Sequence, residues 1–277
     1  MKKILAAFDG LKYSESTAAY ALDIASRTNS KVIAVFLEDF TYHSYKMVDI
    51  IGQEYVEEQR VVELNRKDSE IRDKSVALFK NACVAAGVEF SIHRDKNIAI
   101  RELVHESVYS DLLIIENDET LTHYTEDLPT RFVRTLLEMA ECPVLLVPPE
   151  YQQIRKVIFM YDGASASVYA IKKFGCLMDM EGLAVDVVCV RKNRGDKVLP
   201  DSRLIKEWFG LHYPNANFHV YHGDQTSRID SYLADHGKDS VVVLGAYARG
   251  SISRMLQKST ADMIMQNLDV PLFVAHR

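Results

Sequence analysis

A chain of 277 residues, 48% hydrophobic and 26% charged, falls in the range of ordinary globular proteins and is long enough for two compact cores. Its 33 basic and 39 acidic residues leave a net charge of −6, the wrong sign for a protein that grips nucleic-acid phosphates. No apolar run approaches the roughly 18 residues of a spanning helix, so no membrane partner is expected. The apolar run after Met1-Lys2-Lys3 ends at Asp9, short of a signal peptide's core, and the expected location is the cytoplasm. Cys83, Cys142, Cys176 and Cys189 show no CxxC spacing and are expected as four buried, reduced thiols.

In chain order, short β-rich apolar runs alternate with helical periodicity. Strands are expected near 3–8, 31–37, 88–94, 111–116 and 143–147, with helices near 14–28, 54–86, 98–109 and 127–140. The pattern then restarts. Strands follow near 155–161, 183–190, 217–221, 240–245 and 271–275, with helices near 165–178, 200–210, 226–236 and 254–267. Lys2-Lys3-Ile4-Leu5-Ala6-Ala7-Phe8-Asp9-Gly10 recurs as Arg155-Lys156-Val157-Ile158-Phe159-Met160-Tyr161-Asp162-Gly163, and the ending Cys142-Pro143-Val144-Leu145-Leu146-Val147 is answered by Val270-Pro271-Leu272-Phe273-Val274. The chain therefore reads as α/β, with two tandem doubly wound, Rossmann-like domains of five parallel strands each: 1–148, a linker at 149–154, and 155–277. The alternating charges of 57–70 read as a solvated helix face. An apolar closing strand at a sheet edge invites association, so strands 143–147 and 271–275 are expected to pair and make the chain an internal pseudo-dimer.

Ligands of open parallel sheets collect beyond the carboxyl ends of the strands, which directs attention to Asp9, Asp162 and the loops after the fourth strands. A carboxylate at a buried strand end serves either a ligand or the next helix's cap, and the repeat alone does not decide between them. The loop from Gly245 through Arg249 to Lys258, Ser259 and Thr260 combines small residues, hydroxyls and cations ahead of a helix, the ingredients of an anion cradle and equally of a plain turn. Its counterpart, Glu116-Asn117-Asp118-Glu119-Thr120 with Glu126-Asp127 nearby, is acidic and would repel a phosphate. Any anionic ligand should prefer the second half.

These marks together resemble a tandem universal stress protein, nearly end to end in both halves. In nucleotide-binding members of that family the fourth-strand loop runs Gly, two residues, Gly, nine residues, Gly, then Ser or Thr. Here those positions are Gly245, Ala248, Lys258 and Ser259, so two of the three glycines are replaced. In the first half they fall on Glu116 or Asn117 and Thr130-Arg131, and the motif is gone. The resemblance implies a stress-response protein whose cofactor is ATP or another adenine nucleotide, held in the second half. Asp162 and Val190 would face base and ribose, and Gly245, Ala248, Arg249, Lys258, Ser259 and Thr260 would surround the phosphates. The alternative is a binding-incompetent regulatory or scaffold module acting through a protein partner, as the intrachain pseudo-dimer or a homodimer of it.

Other chemistries fit worse. GxGxxG after a strand, GxxxxGK[ST] and Gly-x-Ser-x-Gly are all missing from the sequence. No catalytic residues are assigned, because no general base is evident, and at most very slow ATP hydrolysis is expected. His219 and His222 stand three apart on a strand, a spacing that sends their side chains to opposite faces, so no metal site is expected there.

Overall fold

A computed structural model describes residues 1–38, 58–95, 98–122, 124–192, 198–245, 260–267 and 269–276. The first half runs β1 (Lys3–Asp9), α1 (Glu15–Thr28), β2 (Lys31–Leu37), α2 (Glu58–Ala86), β3 (Phe90–Asp95), α3 (Ala99–Ser107), β4 (Leu112–Glu116), α4 (Arg131–Met139) and β5 (Val144–Val147). The second repeats the order: β6 (Lys156–Met160), α5 (Ser165–Leu177), β7 (Ala184–Arg191), α6 (Ser202–His212), β8 (Asn217–His222), α7 (Gln225–His236), β9 (Ser240–Gly245), α8 (Thr260–Asn267) and β10 (Leu272–Ala275).

The central strands are continuous apolar runs because both of their faces are covered. Ile4 to Asp9 of β1 are all buried, and so are Val32 to Leu37 of β2. The strands form one ten-stranded sheet in the order β3-β2-β1-β4-β5-β10-β9-β6-β7-β8. Each half has the doubly wound order, with its first strand beside its second and fourth. Every pairing is parallel except the seam, where β5 meets β10 antiparallel with Leu146 opposite Leu272, Leu145 opposite Phe273 and Val144 opposite Val274. The expected pairing of the closing strands is thus present.

Two apolar layers flank the sheet, and each runs through both halves. One packs Tyr20 and Ile24 of α1, Phe79 of α2, Phe174 of α5 and Phe209 of α6 onto one face; the other packs Leu103 of α3, Leu136 of α4, Leu233 of α7 and Ile264 of α8 onto the opposite face. The connection between the halves is tied to α1: Ser16 Oγ donates to the Pro148 carbonyl, the Gln152 N–H donates to Tyr20 Oη (3.2 Å), and the Tyr20 and Tyr151 rings meet edge to face.

The cysteine expectation needs one correction. All four thiols are unbridged, but Cys176 is exposed while Cys83, Cys142 and Cys189 are buried. Helix α5 buries Ala170, Ile171, Phe174 and Leu177, a 3.6-residue stripe that turns Cys176 outward despite its apolar neighbours.

Among the described residues, no helix is long and apolar enough to cross a membrane, and no group of His, Cys, Asp or Glu side chains could hold a metal ion.

Candidate functional site

The carboxyl edge of the second half gathers the end of β6, the end of β9 and the first turn of α5. Helix α5 starts at Ala164, whose side chain cannot cap it. Asp162, just before it, ties the turn to the helix: its Oδ1 accepts from the Ala164 N–H (2.8 Å) and from Ser167 Oγ (2.7 Å). Asp162 is nonetheless exposed, so its carboxylate borders solvent at the strand end. Gly245 ends β9 directly beneath the same helix start. A Cβ there would lie 2.3 Å from the carbonyl carbon and oxygen of Ala166 and 2.8 Å from the Ser167 nitrogen, so only glycine lets the two backbones meet. Asp162 and Gly245 therefore converge on one turn of helix, where unpaired N–H groups concentrate partial positive charge.

The other expected positions distribute differently. Val190 is half-buried near the end of β7, opposite Tyr221 of β8. Thr260 opens α8, and its Oγ1 accepts from Gln225 Nε2 (3.1 Å) at the start of α7. Ala248, Arg249, Lys258 and Ser259 lie outside the described residues.

The first half presents the opposite chemistry at the equivalent edge. Asp9 is 2% exposed, and its Oδ1 accepts from the Leu11 N–H (2.8 Å). Glu116, Asn117 and Glu119 are buried too. Glu119 Oε1 accepts from the Thr120 and Leu121 N–H groups at 2.9 and 2.8 Å, while Thr130 Oγ1 donates to the Glu119 carbonyl and receives the Val133 N–H as the cap of α4. Burial, reinforced by the charge of Asp9, pushes the Glu119 carboxyl up to about 7 despite those donors and nearby Lys12. Lys12 stands 3.6 Å from Asp118 and is raised because the charges of Asp118, Glu116 and Glu119 outweigh its own burial. An anion entering this loop would meet the carboxylates of Glu116, Asp118 and Glu119.

At the opposite end of the second half's strands lies a polar network that the sequence reading did not find. Asp186 of β7, 4% exposed, accepts from Asn217 Nδ2 (3.0 Å) and Tyr232 Oη (2.7 Å), with Lys156 Nζ at 3.6 Å and His219 Nε2 at 3.5 Å. Burial alone would raise this carboxyl, but the hydrogen bonds from Asn217 and Tyr232 and the nearby Lys156 ammonium hold it below its ordinary value. The signal in the sequence was a lone Asp inside the apolar run of β7. Its distance from the carboxyl edge makes it a tie between α7 and the sheet.

No family model matches the chain. A universal stress protein of Synechocystis sp., Slr1230, is 21% identical over 288 aligned residues, covering 98% of this chain and 99% of that protein. A universal stress protein of Archaeoglobus fulgidus shares the fold with a TM-score of 0.72 at 15% identity, covering 99% of this chain and 98% of that one. A putative universal stress protein of Pseudomonas aeruginosa gives a TM-score of 0.58 at 16% identity, over 100% of this chain and 93% of its own. Shorter universal stress proteins match about half of the chain, including one of Arabidopsis thaliana with AMP bound (14% identity, 53% of this chain, TM-score 0.36), a likeness too partial to bear on a ligand here. Along its whole length, with its two halves in tandem, this chain is similar in sequence to a universal stress protein and shares the fold of the solved universal stress proteins.

Proposed function

We propose that this chain is a cytoplasmic stress-response protein that binds an adenine nucleotide, ATP in the first instance, at the carboxyl edge of its second half. The observation that carries the reading is the asymmetry between the two edges. In the second half an exposed Asp162 and the end of β9 meet at a helix start, and the sequence that follows supplies Arg249, Lys258, Ser259 and Thr260. In the first half the same place is filled by buried carboxylates. On the family pattern Asp162 and Val190 take the base and ribose, while Gly245, Ala248, Arg249, Lys258, Ser259 and Thr260 surround the phosphates. Calorimetric titration of ATP into the full chain tests this, with Arg249→Ala expected to weaken binding and the acid-rich first half expected to contribute no second site. Absence of ATP binding by the full chain refutes it.

The second reading is a regulatory module without a ligand, acting through a protein partner. It is favoured by Ala248 and Lys258 standing where the family places glycines. Mass spectrometry of small molecules released from the purified, denatured protein separates the two. We also read 1–148 and 155–277 as separate domains joined at 149–154. Expressed alone, the second should self-associate through its bared β10 edge, which sedimentation velocity detects; a monomer that shows no concentration dependence overturns this.

A further inference from the structure

Helices α1 and α5 begin beyond the carboxyl ends of β1 and β6, and a cleft opens between their last turns. Its floor is Leu145 of β5 and Val241 of β9, and its walls are Ile24 of α1, Phe174 and Met178 at the end of α5, and Leu183 ahead of β7. The inner surface is almost wholly apolar and opens to solvent on one side. About 380 Å³ lies within it out to the mouth, inside the roughly 300–1,000 Å³ of small-molecule sites. The tandem arrangement creates this space, because α1 and β5 come from one half and α5 and β9 from the other.

Contacts behind the walls fix them. The Phe174 ring meets Phe273 of β10 edge to face at 5.0 Å. Ile154, which also borders the cleft, follows the stretch that is tied to α1 through Tyr20 and Tyr151. Met178 is unbranched and adapts to the shape of what lies against it. Water held against such walls finds few partners, so an apolar body gains by displacing it.

The polar groups at the mouth are few, and most are engaged. Thr28 Oγ1 donates to the Ile24 carbonyl (2.7 Å). Arg27 Nε donates to Asp23 Oδ1 (3.2 Å), so the two charges offset each other, and the Tyr151 hydroxyl binds the same carboxylate. Asp179 remains. It is exposed, and among the described residues its carboxylate accepts only the Glu181 N–H, on Oδ1 (3.1 Å). The carbonyl ends of α1 and α5 add partial negative charge at the same mouth. An apolar cleft with an unspent carboxylate and two helix C-termini at its entrance suits a cation with an apolar body better than an anion.

We propose that this cleft is a binding site for a small organic amine, with an aromatic or short aliphatic body against Phe174 and Met178 and its ammonium beside Asp179. The site does not depend on a nucleotide at the carboxyl edge, since it lies at the opposite ends of α1 and α5.

Three probes of similar shape separate body from charge: 2-phenylethylamine, 2-phenylethanol and 3-phenylpropanoate, cationic, neutral and anionic at pH 7. Each is titrated into the full chain, labelled at its Ile, Leu, Val and Met methyl groups, and followed by NMR. The methyls of Ile24, Ile154, Met178 and Leu183 should shift with the amine. The amine should bind about 2- to 5-fold tighter than the alcohol, the scale of one exposed ion pair, and the carboxylate more weakly than both. Asp179→Asn should bring amine and alcohol to equal affinity, and Leu183→Trp should fill the cleft and abolish the shifts from all three. An amine that binds wild type no more tightly than the alcohol overturns the proposal, and so does an advantage that survives Asp179→Asn. Shifts confined to methyls outside the cleft, or unchanged in folded Leu183→Trp, overturn the location. Asp179→Asn alters an exposed position and decides the matter even where Leu183→Trp does not fold.

Discussion

Glu119→Gln isolates the cost of burying an acid at the carboxyl edge of the first half. The Glu119 carboxyl moves from 4.5 to about 7 on folding, first through burial and then through the charge of Asp9. A carboxyl raised in the folded state binds its proton more tightly there than in the unfolded chain. Its contribution to stability is therefore full below about 4.5, declines as pH rises, and is lost by about 7. At about 1.36 kcal/mol per pH unit the whole decline is roughly 3 kcal/mol. Glutamine has nearly the same shape, keeps an acceptor for the Thr120 and Leu121 N–H groups, and does not titrate. Urea unfolding of wild type and Glu119→Gln at pH 5, 6, 7 and 8 should show the variant gaining about 2–3 kcal/mol on wild type across that series. Asp9→Asn should shift the wild-type inflection to lower pH, because it removes the second cause of the rise. Stability profiles of wild type and Glu119→Gln that stay parallel from pH 5 to 8 would refute the assignment of this titration to Glu119.

Gly245→Ala forces a methyl group against the backbone of Ala166 and Ser167, so α5 must shift or the protein loses several kcal/mol; a melting temperature within a degree of wild type, with ATP binding intact, counts against the close approach. Tyr232→Phe deprives buried Asp186 of one of its two hydrogen bonds and should cost about 1–3 kcal/mol in urea unfolding at pH 7, whereas a loss below about 0.5 kcal/mol would make the network incidental. Because the Asp186 carboxyl is held low, its contribution is present above the ordinary carboxylate range and disappears as pH falls through the folded value, so the wild-type advantage over Tyr232→Phe should shrink in acid. Lys258→Gly restores the family glycine, and ATP titration should show tighter binding; weaker binding, by a margin of about 1.5–3 kcal/mol, would instead show that the ammonium grips phosphate.

The alternation of strand and helix was legible because buried parallel strands are written as unbroken apolar runs, and the repeat gave the order of elements in both halves. The pairing of the closing strands followed from their apolar edges, as in Val144–Val147; its antiparallel sense came only from the structure. What escaped was decided by contacts distant in sequence. Asp9 and Asp162 occupy matching positions, yet one is buried and the other exposed. The neighbours of the glycine that follows each also differ: a Cβ on Gly10 would meet Arg72, and one on Gly163 would meet Pro200. Asp186 could have been flagged as a polar residue among Val185, Val187 and Val188, but its partners Tyr232 and Lys156 come from elements that periodicity cannot bring together. Cys176 was misplaced because its neighbours were weighed for composition rather than for helical phase.

Since β5 and β10 belong to one polypeptide, the equilibrium across the antiparallel seam contains no concentration term. Two separate subunits joined by such a short edge would part on dilution, whereas tethered strands meet at a fixed effective concentration, on the order of millimolar for a short flexible connection. The covalent joint also frees the partners from being identical. A homodimer that lost a ligand loop would lose it twice over, but here one half could fill its loop with acid and still serve its neighbour as a wall. Genetic change at either edge is thus read out singly, and the molecule can evolve its two ends as different devices.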